Sequence, residues 1–308
     1  MTTPARLVFA LALASGCSHR ALEVCIFEDA SVPVDFAGDD FTPPPDLWEP
    51  DLHLPDLALA DFTNRCPAGE SFVMVVDEDN TLSRFRPDTL QFFDIMKLNC
   101  PAPPGSFPFS MAVGRDQTAW VVYNTGQLFK ADSVTGICSA TSYQPGQMGT
   151  TNFGMGFALD QIGSDNETLF VAAGNALGTG STLGTISIPQ LRLSLIAPVQ
   201  GNPELTGTPD TNLWGYFPTL SPPIVAQIGK TNGGLTNIFR LPAVGSPQAW
   251  AFAAWGGDFW IFVWLNGAPS TDVFHLRPSD GSFTRAIQNT GRHIIGAGVS
   301  TCSDGLGG

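Results

Sequence analysis

Four aspartates set a period along this chain. Asp116, Asp160, Asp210 and Asp258 each close a short run of small and apolar residues: Met111-Ala-Val-Gly-Arg-Asp116, Phe157-Ala-Leu-Asp160, Thr206-Gly-Thr-Pro-Asp210 and Phe252-Ala-Ala-Trp-Gly-Gly-Asp258. An apolar stretch follows each of them, at residues 119–123, 168–172, 213–217 and 259–265. The spacings of 44, 50 and 48 residues are close to the roughly forty-odd residues of a four-stranded antiparallel blade. Small residues before each Asp suit an innermost strand, where blades crowd an axis. No segment from residue 72 onward carries a convincing helical period. The 33 glycines and 25 prolines punctuate short strands with turns.

A second alignment agrees with the first. Leu82-Ser-Arg-Phe-Arg-Pro-Asp-Thr-Leu90, Leu128-Phe-Lys-Ala-Asp-Ser-Val-Thr-Gly136 and Val273-Phe-His-Leu-Arg-Pro-Ser-Asp-Gly281 each read as a strand and a turn. This is the chemistry of the hairpin joining the third and fourth strands of a blade, and it resembles the turn of quinoprotein-like propeller repeats. The ends complete the pattern. Residues 72–76 read as a second strand and residues 294–299 as a first strand, so pairing them builds one blade from both ends of the body. The expected fold is an all-β, five-bladed β-propeller over residues 66–302, with the first blade shared. Closing the ring removes exposed sheet edges.

The front of the chain has a different character. Residues 1–16 hold Arg6, an apolar run over 7–14 and small residues, the three parts of a signal peptide. The run is too short to span a bilayer. It ends in Ala14-Ser15-Gly16-Cys17, which resembles the bacterial lipobox and makes Cys17 the expected site of lipidation. Residues 17–65 are acidic and Pro-rich. Between residues 18 and 65, eleven acids face two bases, within a chain whose net charge is −14. Three pentads follow one another from Pro45, Pro50 and Pro55, each beginning Pro-Asp-Leu. Proline every fifth residue bars a helix interior or a central strand, so this stretch is expected to be an extended tether. Residues 303–308 are expected to be a flexible tail.

Three further stretches resemble predicted myxobacterial-type lipoproteins of unassigned function: Glu204-Leu-Thr-Gly-Thr-Pro-Asp210, Ala249-Trp-Ala-Phe-Ala-Ala-Trp-Gly-Gly-Asp258 and Gly296-Ala-Gly-Val-Ser-Thr-Cys302. The resemblance implies an envelope location and no particular activity. Export followed by anchoring at the outer membrane of a Gram-negative bacterium is the expected address. Cysteines scattered without metal-type spacing in an exported chain read as disulfides. Cys66 precedes the entering strand and Cys302 follows the exiting one, so a bridge between them would lock the seam. Cys100 with Cys138 is the natural second pair, although Cys100 follows a fourth strand whereas Cys138 begins one. Cys25 is left over.

The sequence carries little overt chemistry. No nucleophile elbow, phosphate-binding glycine loop or zinc motif is present, and neither a cofactor nor a metal is expected. The acidic balance argues against nucleic acid. A propeller site would sit at the axial mouth, built by the loops at residues 101–109, 143–154, 199–204 and 290–293 together with 77–80, 124–126 and 173–183. The ionisable candidates there are Asp77, Asp79, Glu204, Arg292 and His293. Asp77-Glu-Asp-Asn80 offers the oxygens that Ca²⁺ favours, but a polar hairpin tip explains it as well. The recurrent Asp116, Asp160, Asp210 and Asp258 fall on the opposite face and read as turn residues. His275 aligns with Arg84 and Lys130, as expected of a solvated strand position. The aromatic series from Trp250 to Trp264 reads as inter-blade packing in preference to a sugar platform. The expected function is therefore a ligand- or protein-binding, scaffolding module rather than an enzyme. Its partners would be the membrane, through the lipid, and an envelope protein or glycan. The alternative is a glycan-acting hydrolase, which needs paired carboxyls across the scissile bond.

Overall fold

The computed structural model describes residues 72–174 and 180–302. The chain divides between residues 56 and 57, and every described residue belongs to the second unit. The expected signal peptide, Cys17, the tether, Cys66 and the 303–308 tail lie outside the described residues.

Each repeat folds as one four-stranded antiparallel sheet, and five sheets form a ring. Blade 1 comprises β1 (Val73–Asp77), β2 (Thr81–Arg86) and β3 (Gln91–Lys97). Blade 2 comprises β4 (Pro108–Val113), β5 (Thr118–Tyr123), β6 (Leu128–Asp132) and β7 (Cys138–Ala140). Blade 3 comprises β8 (Phe153–Leu159), β9 (Glu167–Gly174), β10 (Gly180–Ile186) and β11 (Leu193–Gln200). Blade 4 comprises β12 (Glu204–Gly207), β13 (Leu213–Phe217), β14 (Ile224–Ile228) and β15 (Leu235–Arg240). Blade 5 comprises β16 (Pro247–Trp255), β17 (Asp258–Leu265), β18 (Asp272–Arg277) and β19 (Ser282–Ile287), and the chain ends by giving β20 (Ile294–Gly298) to blade 1. The body is a five-bladed β-propeller. The helical element among the described residues is a single 3-10 turn, Gln147–Gly149.

Burial follows position in the blade. Second strands are buried on both faces because a blade packs against a neighbour on each side. β13 (LWGYF) and β1 (VMVVD) are buried throughout, which is why they read as continuous apolar runs and not as alternation. Outer strands such as β3 and β15 are mostly exposed or half-buried. The core is accordingly divided into inter-blade layers. In β1, Val73 and Val75 face blade 5 while Met74 and Val76 face blade 2, as a period of two requires. Phe85, fully buried, meets Phe92 of its own blade at a centroid distance of 4.8 Å and Trp260 and Phe262 of blade 5 at 5.4 and 5.4 Å.

The innermost strands approach so closely that some positions exclude a side chain. A Cβ on Gly207 would lie 2.1 Å from the Phe157 carbonyl oxygen, and one on Gly154 would lie 2.2 Å from that of Pro203. This is the crowding inferred from the small residues of the repeat.

The seam closes as the sequence implies. β20 pairs antiparallel with β1, with Met74 opposite Gly298, Val75 opposite Ala297 and Val76 opposite Gly296. Cys302 is disulfide-bonded, and its expected partner Cys66 lies outside the described residues. Cys100 and Cys138 form a disulfide with Cα atoms 4.8 Å apart. The mismatch of strand registers noted above is resolved by the crossing from blade 1 to blade 2. After β3 the chain must travel inward to start β4, and on the way Leu98, Cys100 and Ala102 pack into the layer between those blades, where β7 begins.

Candidate functional site

The axial mouth contains a cavity of about 550 Å³ to which all five blades contribute. Its two halves differ in chemistry. Blades 5, 1 and 2 supply most of the aromatic and aliphatic surface, Trp250 on β16, Trp264 on β17, Ile295 on β20, and Phe107 and Phe109 at the entry to β4, together with two polar side chains, Gln248 on β16 and Glu78 after β1. Blades 3 and 4 supply a polar arc: Thr151 and Asn152 before β8, Asn202 before β12, and Glu204 at its start. The aromatic arc follows from strand register. Ala249 pairs with Trp264 and Trp250 with Val263, so both tryptophans stand at the mouth end of blade 5 on opposite faces of its sheet, Trp250 against the layer shared with blade 4 and Trp264 beside His293. The Trp264 indole N–H donates to the Ala268 carbonyl oxygen at 3.0 Å, and the His293 ring stacks on the indole at 3.9 Å. The polar edge of Trp264 is thus satisfied by its own loop.

Glu204 lies at the inner end of the cavity and is 4% exposed. Its carboxylate accepts the Ser110 hydroxyl at 2.8 Å. Ser110 Oγ in turn accepts the Met155 N–H at 3.2 Å, so the hydroxyl proton is committed to Glu204. These residues stand on β4, β8 and β12, the inner strands of three blades. The missing side chain at Gly154 makes the crossing possible, since a Cβ there would lie 3.2 Å from the Glu204 carboxyl carbon. Burial pushes the Glu204 carboxyl well above the usual carboxylate range, against the lowering effect of Ser110.

The structure separates the other mouth candidates. Asp77, at the end of β1, forms an ion pair with Arg292 at 2.8 Å. Arg292 also bonds Asp94 at 2.7 Å and Ser83 Oγ at 2.6 Å. Together they clamp the seam loop before β20 onto blade 1. Burial raises Asp77 to about 6 in spite of Arg292. Asp79 accepts the Thr81 N–H at 3.0 Å and meets Lys97 at 3.2 Å. Hydrogen bonding from the Thr81 side chain, and then from its N–H, holds the carboxyl below the ordinary range. His293 reaches Glu78 at 3.6 Å and the Pro269 carbonyl at 3.0 Å while stacking on Trp264. Of the five candidates, Glu204 lines the cavity, His293 backs one of its walls, and Asp77, Asp79 and Arg292 belong to the seam and to the hairpin beside it. Sequence reasoning placed Glu78 in the mouth loop 77–80, but it did not single out Ser110, and it read Trp250 and Trp264 as packing. It did find the loops that carry Phe107, Phe109, Asn152 and Asn202.

The remaining motifs resolve into packing and turns. Asp116 accepts the Thr118 N–H at 2.9 Å and Asp160 accepts the Thr168 hydroxyl at 2.7 Å. Asp258 departs from this role and bonds His275 at 2.7 Å. His275 is not a solvated strand residue. It stacks on Trp260 at 4.4 Å, much as Lys130 lies over Trp120 and Arg84 over Phe72. The aligned third-strand position therefore covers an aromatic ring with a polar or cationic side chain. Phe252, Phe259, Trp260 and Phe262 pack between blades. Among the described residues no trio of His, Cys, Asp or Glu is placed to hold a metal ion.

No family model matches the chain, and no curated protein matches it. Solved structures resemble it at low identity. A protein of unknown function from Bacteroides thetaiotaomicron is 16% identical over 71% of this chain and 56% of that one, with a TM-score of 0.45. TolB from Acinetobacter baumannii is 14% identical over 70% and 53%, with a TM-score of 0.43. An exo-beta-1,3-galactanase from Phanerochaete chrysosporium is 9% identical over 57% and 48%, also with a TM-score of 0.43. The chain spans about half the length of these proteins. The chemistry of the mouth rests on this chain's own residues.

Proposed function

We propose that the propeller is a ligand-binding module of the cell envelope, taking its ligand at the axial mouth and held near a membrane by a lipid on Cys17. The observation that carries the binding role is the five-blade cavity. Its size is within the range of roughly 300–1,000 Å³ usual for small-molecule sites, and it combines aromatic walls with a few convergent polar groups. The test uses the full-length chain. Ligands are screened by calorimetry and by the fluorescence of the mouth tryptophans. Binding that is lost in Trp250→Ala supports the assignment, and binding indifferent to that change refutes it. The envelope address is supported by Arg6, the short apolar run and Ala14-Ser15-Gly16-Cys17. Its test is acyl labelling and globomycin sensitivity, both lost in Cys17→Ala. A lipid-free mature protein would refute it.

A second reading, a glycan-acting hydrolase, has one observation in its favour: Glu204 and Glu78 both line the cavity. Against it, Glu204 is bound to Ser110 and Glu78 lies toward His293. Release of sugar from glycans by the wild type, abolished in Glu204→Gln, would establish this reading.

A further inference from the structure

We infer that the mouth is a site for a neutral, hydroxyl-rich ring, the terminal unit or units of an uncharged saccharide, lying with one face on the aromatic arc and its hydroxyls on the polar arc. The inference rests on the binding-module reading and adds the ligand class. Three observations lead to it.

The first is the division of the cavity. Most of the aromatic surface, Phe107, Phe109, Trp250 and Trp264, comes from blades 2 and 5, with Ile295, Glu78 and Gln248 beside it, and Thr151, Asn152, Asn202 and Glu204 gather on blades 3 and 4. A purely apolar ligand would satisfy the first arc and strip water from the second without replacing its hydrogen bonds, which is costly. A purely polar ligand would waste the first. A pyranose has both characters. Its C–H face packs on an aromatic π-surface, whose negative face attracts the weakly positive hydrogens, and its hydroxyls donate and accept around the rim.

The second is charge. Among the described residues the lining includes Glu78 and Glu204 and no lysine, arginine or histidine. An anionic ligand would meet no counter-charge there. The basic side chains near the mouth are already engaged: Arg292 by Asp77 and Asp94, and His293 by Glu78 and the Pro269 carbonyl.

The third is the state of Glu204. Ser110 donates to one carboxyl oxygen, and the group is withdrawn from water. A charged carboxylate aimed at a cationic ligand would suffer the full cost of burial. A neutral acid offers the cavity an O–H donor beside an acceptor, which is what a sugar hydroxyl needs. Burial favours the neutral form.

The experiment presents the full-length protein to an array of neutral and acidic glycans, and to choline and spermidine by calorimetry. Trp250→Ala and the half-exposed Phe109→Ala serve as mouth variants, each checked for an unchanged melting transition. The expected result is that neutral glycans bind and that each aromatic variant weakens binding by about tenfold or more. If choline, spermidine or acidic glycans bind instead in a Trp250-dependent way, the saccharide class is overturned and the mouth remains a binding site. If nothing in the set binds in a Trp250-dependent way, both the inference and the binding-module reading fall. Neutral glycan binding that survives both aromatic variants would place the site elsewhere and overturn the inference.

Discussion

Glu167→Gln isolates the titration of one proton. Glu167 begins β9 on the face away from the mouth. It accepts the Arg115 N–H at 2.7 Å and the Thr301 hydroxyl at 3.0 Å, so it ties the turn after β4 and the end of β20 to blade 3. Burial raises it from 4.5 to about 7, outweighing those two bonds and the Arg115 charge. In the unfolded chain it returns to about 4.5. The folded state thus holds this proton more tightly. The stability that comes from it is fully present below about pH 4.5 and is lost as pH rises through about 7. A displacement of this size corresponds to about 3 kcal/mol. Glutamine resembles the protonated acid in shape and keeps an acceptor for Arg115, but it does not titrate. Urea unfolding followed by tryptophan fluorescence, at half-unit steps from pH 4 to 8.5, reads the difference. Wild type and variant are expected to coincide near pH 4.5. The variant then gains on wild type by at most ~1.4 kcal/mol per pH unit, reaching about 3 kcal/mol above pH 7.5. Parallel curves would show that Glu167 has no such displacement in the folded protein and that the burial argument is wrong.

Cys100→Ser, with Cys138→Ser as its counterpart, should each destabilise the body by about 4 kcal/mol on the chain-entropy account of a 38-residue separation, and the double variant should cost little more; additive losses by urea unfolding would contradict a shared bond. The same cycle applied to Cys66→Ser and Cys302→Ser tests the seam disulfide, and there too additivity would sever the pair. Gly207→Ala should cost about 2 kcal/mol or more, because its Cβ would meet backbone of the neighbouring inner strand at 2.1 and 2.7 Å. Gly281→Ala, at φ +72° with nothing within 4 Å, should cost about 1 kcal/mol from backbone strain alone. Equal melting shifts for the two glycine variants would argue against crowding at the axis.

The sequence by itself determined the blades. Strand and turn are local: the apolar run of β5, the Asp116 turn and the turn after β6 are each encoded within about ten residues, and repetition at a fixed period makes them legible. The shared first blade was legible too, since residues 72–76 and 294–299 are each incomplete without the other. Tertiary structure decided what the blades do together. Ser110 and Glu204 are 94 residues apart and meet because ring closure brings β4, β8 and β12 around one axis and Gly154 leaves room between them. Trp250 and Trp264 belong to the same aromatic series as Phe252 and Phe262, and only their place at the mouth end of β16 and β17 in the closed ring lets them line the cavity while the second pair is enclosed between blades. Arg292 is indistinguishable in sequence from a surface cation, and it is the fold that surrounds it with Asp77, Asp94 and Ser83. Local patterning carries a period of two and the chemistry of turns. Burial, and with it the upward shift of the Glu204, Glu167 and Asp77 carboxyls, depends on which distant strands exclude water from a carboxyl, and that is fixed when the ring closes.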